Sequence, residues 1–339
     1  IGRDSISVSD TVCKFTIHFR FTIYPISNFC FTNGEFFMEI QSYIGNFAPQ
    51  LSLHERALRI FESLDIAESS RTDYKSRIWM FLEFIQAHPF NQNSFLEFKR
   101  YLAARNDIAI ATKSKYLTVA RVFLKELNRQ GIIPADITQN VKSFQQTKKH
   151  KKFGLNQEEV NLLLSELNRL PESFSNVRLK AIISLLVFQG LRQIEVIRLN
   201  VEDISPGQMT ALIHGKGRDD KEPIDLHPRS VEALKHYMDY CKVRSGPLFV
   251  SSSNNNQNGR LSTKSIRNIV TAFLKNLNID NSTHGFRHYF TTKLIELFSN
   301  DLLTVAKFTR HKSVETLQVY NDNISRKNNL PKYYQAFNE

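Results

Sequence analysis

Residues 282–320 read STHGFRHYFTTKLIELFSNDLLTVAKFTRHKSVETLQVY. Set into otherwise ordinary helical text are three histidines (His284, His288, His311), two arginines (Arg287, Arg310) and a closing tyrosine, Tyr320. Such residues can sit solvated on a surface. They are also the side chains that a phosphate-handling site requires: guanidinium forks that hold phosphate oxygens bidentately, imidazoles that move protons, and a phenol oxygen able to form a covalent link. The sequence on either side decides between these readings.

Working back from this stretch, the text is helical at RSVEALKHYMDYC and TKSIRNIVTAFLKNL, separated by the flexible loop Asn254–Gly259. Before these the period changes. MTALIHGKGRDDKEPIDL reads as strand, turn, strand, with Gly215 and Gly217 supplying the turn and Pro223 confining the second arm to a sheet edge. Upstream again, NVRLKAIISLLVFQGLRQIEVIRL is a helix that Gly190 breaks just before Arg192; its segment Ala181–Phe188 is apolar throughout and reads as buried. Asn156, three residues before Glu159, marks the start of the first helix of this domain.

The region 51–140 carries four helical segments: SLHERALRIF, SRTDYKSRIWMFLEFIQ, SFLEFKRYLAAR and TKSKYLTVARVFLKELNRQG. Two of them open with Ser–x–x–Glu signals (Ser52 with Glu55, Ser94 with Glu97), and Gly131 ends the fourth. This reads as a small helical bundle. Residues 141–155 form a linker in which Lys148, Lys149, Lys151 and Lys152 crowd together without an apolar face. Residues 156–320 make the second domain and 321–339 a tail. Residues 1–50 are an N-terminal extension of uncertain order. The first methionine is Met38, so 1–37 reads as sequence upstream of a start there, and no function is assigned to it.

The 339 residues carry a net charge of +12, which points to a polyanionic partner, most often nucleic acid. Cys13, Cys30 and Cys241 are odd in number and far apart, giving neither a disulfide framework nor a zinc site, and a reducing, cytoplasmic compartment is expected. No apolar run approaches the ~18 residues of a membrane span, so no membrane partner is expected. His284 and His288 have no glutamate between them and no carboxylate cluster beside them, so no metal is expected. GKGRDD has neither the spacing nor the hydroxyl residue of a nucleotide-binding loop, and no GxSxG is present. Taken singly, Arg192 is compatible with a surface charge, Lys216 with a turn lysine, His311 with a helix cap and Tyr320 with packing.

Together, GLRQIEV, IHGKGRDDKEPIDL, THGFRHYF and TRHKSVETLQVY, in this order and with His311 nine residues before Tyr320, resemble the four boxes of the tyrosine recombinases, the family of phage integrases and Xer recombinases. The resemblance spans nearly everything from Leu51 onward. It implies a mainly α fold with a small antiparallel β-hairpin or sheet, arranged as a two-domain, C-shaped clamp: a helical core-binding domain plus a catalytic domain. It implies strand cleavage and rejoining through a 3′-phosphotyrosyl intermediate, with no cofactor. Arg192 and Arg287 would clamp the phosphate with His311 as a further donor, Tyr320 would be the nucleophile, Lys216 the general acid, and His284 a supporting acid–base group. Glu195 would hold the Arg192 region, or form an ordinary salt bridge. Lys113 and Lys115, with Lys148, Lys149, Lys151 and Lys152, would meet the DNA backbone. The expected partners are double-stranded DNA with inverted-repeat half-sites and three further protomers, as a homotetramer or a heterotetramer; the tail would dock on a neighbour.

The chain departs from the family pattern at Thr309–Arg310, where Leu–Gly is usual; the arginine is expected to alter the turn before His311 or to add a DNA contact. Two other functions carry related sequences. A type IB topoisomerase would relax supercoils without pairing two sites, and a non-catalytic module of the same fold would bind DNA only. Covalent trapping of DNA distinguishes the last of these from an enzyme.

Overall fold

A computed structural model describes residues 53–146, 154–215, 217–251, 259–311 and 313–336. The expectations for the N-terminal extension, for Lys148, Lys149, Lys151 and Lys152, for Lys216, and for most of the Asn254–Gly259 loop lie outside the described residues. The chain divides into two compact units, Ile1–Gln146 and Thr147–Glu339.

The first unit contains α1 (Leu53–Glu62), α2 (Glu68–Arg77), α3 (Trp79–Ala87), α4 (Ser94–Ala104) and α5 (Ile110–Arg129). Its core is aromatic: Phe61, Phe81, Phe98 and Phe123 are buried, and the Phe81 and Phe98 rings meet edge to face at 5.0 Å. The helix expected to run on from Ser70 is two helices that abut at Ile78. That residue keeps helical backbone angles and is fully buried. The interruption separates a polar helix with no buried residue from an apolar one that buries Met80, Phe81, Leu82, Phe84 and Ile85. The start of α4 also differs from expectation. Asn93 takes the cap position, while the Ser94 hydroxyl accepts from the Asn91 N–H at 2.7 Å. The expected linker is partly folded onto this unit: Val141 and Phe144 pack against the bundle core, and Arg121 donates to the Val141 carbonyl at 2.7 Å.

The second unit begins with α6 (Gln157–Arg169), whose Asn156–Glu159 capping box closes with both bonds at 2.8 Å. Next comes α7 (Phe174–Phe188), buried from Ala181 to Val187 as its apolar text requires and packed against two later helices. Gly190 then turns the chain at φ +55, and a Cβ there would come within 2.3 Å of the Phe290 ring. The short α8 (Gln193–Arg198) and one 3₁₀ turn lead into β1 (Ile204–Ser205), β2 (Thr210–His214) and β3 (Lys221–Asp225). The sheet is antiparallel in the order β1-β2-β3, with Ile204 opposite Ala211 and Leu212 opposite Pro223, so the proline lies on an edge strand.

Helices α9 (Pro228–Tyr240), α10 (Thr263–Asn276), α11 (Thr283–Leu297), α12 (Leu302–Thr309) and α13 (Val314–Gln335) complete the unit, with α7 packed against α9 and α11. The expected boundary between domain and tail at Tyr320 falls inside α13, which runs through it unbroken. Among the described residues, no helix is long and apolar enough to cross a membrane.

Candidate active site

Four chain segments that are distant in sequence meet in the second unit. The first is the turn after Gly190. Arg192 caps α8, and the Glu195 carboxylate one turn on takes both its N–H, at 2.8 Å, and its guanidinium, at 2.7 Å. Glu195 is only 1% exposed. Burial pushes its carboxyl up, but the Arg310 and Arg192 guanidiniums and the Arg192 N–H outweigh that and hold it below the ordinary value. Glu195 thus sets the backbone and the side chain of Arg192 together.

The second segment is the first turn of α11. Gly285 is required there, since a Cβ would meet the Asn281 side chain at 1.9 Å. Arg287, buried at 2% exposure, donates to the Gly190 carbonyl at 2.8 Å and to the Thr309 carbonyl at 2.5 Å. One guanidinium therefore ties α11 to the turn before Arg192 and to the end of α12. Burial first, then the neighbouring Arg192 and Arg310 charges, bring its pKa down to about 10, so it remains protonated at neutral pH.

The third segment is the end of α12. Arg310 takes the left-handed conformation (φ 55, ψ 44) that a helix end ordinarily gives to glycine. The turn before His311 is therefore made in the usual way, with the Arg310 N–H on the Ala306 carbonyl. The Arg310 side chain does not reach outward. It is 8% exposed, with Glu195 at 3.4 Å and Glu222 of β3 at 3.9 Å. His311 Nδ1 lies 2.6 Å from the Thr309 hydroxyl, which itself donates to the Val305 carbonyl at 2.8 Å. The imidazole Nδ1–H then donates to Thr309, leaving Nε2 with a lone pair. Burial, followed by Arg287, Arg192 and Arg310, brings the His311 pKa down to about 3, so the ring is neutral at physiological pH.

The fourth segment is α13. Tyr320 is 6% exposed and packs with Ile295, Val305 and Leu317. Its ring stands 5.0 Å from His288 and 6.4 Å from His311, and His288 in turn meets the exposed His284 edge to face at 4.5 Å. Burial raises the phenol pKa, while Arg287 and Arg192 pull against it. The hydroxyl thus lies in the field of both guanidiniums.

The structure brings together Arg192, Arg287, His311 and Tyr320, with His284 at the rim. The family model described as the phage integrase family matches residues 154–326, just over half of the chain. The chain belongs to the phage integrase family. Among relatives of this integrase-family tyrosine recombinase is the tyrosine recombinase XerC of Leptospira interrogans serovar copenhageni, 26% identical over 285 residues that cover 79% of this chain and 89% of the relative. That of Neisseria meningitidis serogroup B is 28% identical over 284 residues, covering 80% and 91%. In fold, the chain is similar to the XerH site-specific recombinase solved on a palindromic difH substrate in a post-cleavage complex. The TM-score is 0.69 at 19% identity, covering 87% of this chain and 88% of that one.

Two residues of this integrase-family chain stand differently from expectation. Lys113 does not face a DNA backbone: it is buried, and its ammonium donates to the Ala103 carbonyl at the end of α4 at 3.0 Å, whereas Lys115 is exposed. Arg310 does not alter the turn before His311, and its side chain folds inward. His288 packs against Tyr320, the rings tilted at 41°. Thr309 was not singled out by sequence, yet its carbonyl and hydroxyl serve Arg287 and His311. Its position beside His311 was the only signal. Next to Lys216, the Gly215 carbonyl accepts from Arg198 at 3.1 Å. Among the described residues no cluster of metal-ligating side chains occurs.

Proposed function

We propose that this enzyme is a site-specific recombinase that cuts and rejoins DNA through Tyr320. The observation that carries the reading is the placement of Arg287. It is bonded to the turn before Arg192 and to the turn before His311, and the Tyr320 phenol lies in its field. Such an array meets the charge that a phosphodiester gathers on its non-bridging oxygens under attack.

The step balances without metal or ATP. The Tyr320 oxygen bonds to phosphorus, and its proton passes to a nearby base or to water. The bond from phosphorus to the 5′ oxygen breaks, and Lys216 protonates the departing oxygen. A 5′ hydroxyl from a second strand then reverses the sequence and frees the phenol. The arriving phosphate also changes His311. Its negative charge opposes the burial and the three guanidiniums that keep the ring neutral, and so favours a protonated His311 that donates through Nε2. His284, exposed beside His288, serves proton movement at the rim.

The proposed assembly is four protomers on two inverted-repeat sites of duplex DNA, with Lys115 and the linker lysines Lys148, Lys149, Lys151 and Lys152 on the backbone. The end of α13 suits docking on a neighbour, since Leu330, Tyr333 and Tyr334 are exposed along it. About 6–10 phosphate contacts would make the affinity fall steeply with salt.

The test is a nicked duplex whose cut end diffuses away after cleavage. The intact chain should accumulate a covalent protein–DNA adduct. Tyr320→Phe should bind the duplex with nearly unchanged affinity and form none. Binding without any adduct from the intact chain would leave only a DNA-binding module.

A further inference from the structure

With Thr309, Arg310 marks where the site departs from the family pattern, and its surroundings are unlike those of the other two arginines. A left-handed residue other than glycine costs about 1–2 kcal/mol, and the helix end at Thr309 would be made at less cost by glycine. The chain nevertheless places a long cation there and folds it inward to 8% exposure.

Once buried, the guanidinium is poorly bonded. Among the described residues its hydrogen bonds are long: 3.2 Å to the Phe308 carbonyl and 3.4 Å to Glu195. Its Nε is buried and has no hydrogen-bond partner, and the nearest further carboxylate, Glu222, is 3.9 Å away. By contrast Arg287 closes its bonds at 2.8 and 2.5 Å, and Arg192 closes its own on Glu195 at 2.7 Å. A guanidinium has five donors in a fixed fork, and a buried one whose Nε has no partner calls for an explanation; Arg178 shares that feature, but Arg310 lies beside Arg192 and Arg287, where an arriving anion would supply the acceptor.

The charge count points the same way. Arg192, Arg287 and Arg310 gather around one fully buried carboxylate, Glu195. Glu222 already carries Arg218 at 2.8 Å. This positive excess is the complement of an anion.

We propose that Arg310 is a third phosphate-directed guanidinium of this site, supplying charge and an open donor to the same phosphodiester that Arg192 and Arg287 hold. The inference rests on the function proposed above and adds to it a residue that acts on the reacting group. The rival role is purely structural: Arg310 would only brace Glu195 against Glu222, linking α8 to the β2–β3 hairpin.

The experiment compares two nicked duplexes in the adduct assay. One has an ordinary scissile phosphodiester; the other has a scissile methylphosphonate, whose charged non-bridging oxygen is replaced by a methyl group. A residue that answers the charge of the phosphate matters less when that charge is absent. A residue that only braces the site matters equally on both.

Arg310→Gly should form adduct about 10²–10³ times more slowly than the intact chain on the phosphodiester, the usual cost of one such donor. On the methylphosphonate its deficit should be at least about tenfold smaller. Equal deficits on both substrates, or no deficit on the phosphodiester, would overturn the proposal. Glycine suits φ 55, while buried Glu195 loses one of its two cations, so the two effects on melting oppose each other. Should it fail to fold, Arg310→Lys gives the same comparison: it keeps the charge but not the fork, and its smaller deficit must also shrink on the methylphosphonate. An intact chain that forms no adduct on the phosphodiester would count against the proposed function itself, before any variant is compared.

Discussion

The two units treat buried charge differently. In the helical bundle each buried ion is matched locally. Glu126 accepts from Arg129, Gln130 and Ser63, and Lys113 donates to a helix-end carbonyl. The rest of that core is aliphatic side chains and phenylalanine rings. In the second unit three arginines crowd around one buried carboxylate, and two of them, Arg287 and Arg310, have pKa values lowered mainly by burial. A core that needed only stability would not accumulate such an excess, because burying a charge costs more than a hydrophobic replacement. The bundle shows what packing alone looks like in this chain, and the second unit shows packing relaxed for a ligand.

Substitutions can break this contrast. The largest stability effect is expected in the bundle: Phe98→Ala should cost about 3–5 kcal/mol in denaturant unfolding of the first unit, through lost burial and the cavity left behind. Its adduct rate at saturating DNA should stay near that of the intact chain. Arg287→Met should do the reverse. Adduct formation should slow by about 10²–10³, or roughly 3–4 kcal/mol on the barrier. The melting temperature should fall only modestly, since the Gly190 and Thr309 carbonyls lose their donor while a buried charge is removed. A large fall in melting temperature with little change in rate would make Arg287 a structural residue.

A smaller effect follows from His311. Its folded pKa of about 3 lies below the ordinary 6.5, so the unfolded chain takes up the proton first as pH falls. Stability is therefore lost progressively from about pH 6.5 down to 3. His311→Gln should be spared on the order of 1–2 kcal/mol of that loss, allowing for solvent screening of a partly exposed ring. Denaturant melts at pH 7 and pH 4.5 measure the difference. The smallest effects separate two lysines on α5. Lys113→Ala should lower stability by about 1 kcal/mol, because a helix-end carbonyl loses its donor and a buried side chain is removed, and leave the salt dependence of DNA binding unchanged. Lys115→Ala should leave melting unchanged and reduce the salt slope by about 1.

Much of this contrast was legible in the sequence. The Asn156–Glu159 box, the break at Gly190 and the edge position of Pro223 each follow from one residue's backbone chemistry, and each stands as read. Lys113 was open to a better reading: it lies four residues before Leu117 and seven before Ala120, on the face that the core claims, whereas Lys115 is off that face. The break at Ile78 left no sequence mark, because Ile78 keeps helical angles and the pattern changes only in which side is apolar. The Ser94 signal misplaced a cap by one residue, since the Ser94 hydroxyl accepts from the Asn91 N–H and the Asn91 side-chain oxygen accepts from the Asn93 N–H. The meeting of the four boxes was expected through resemblance, and no local rule would supply it. The inward turn of Arg310 depends on Glu195 and Glu222, which lie 115 and 88 residues upstream, and only the fold brings them close.

The central claim is that one phenol oxygen, set in the field of these guanidiniums, bonds to DNA phosphorus. Peptide mapping of the trapped adduct by mass spectrometry tests it directly. The account predicts a single modified peptide, with a 3′-phosphoryl nucleotide on Tyr320. A nucleotide on Tyr333, Tyr334 or any residue other than Tyr320 would contradict it.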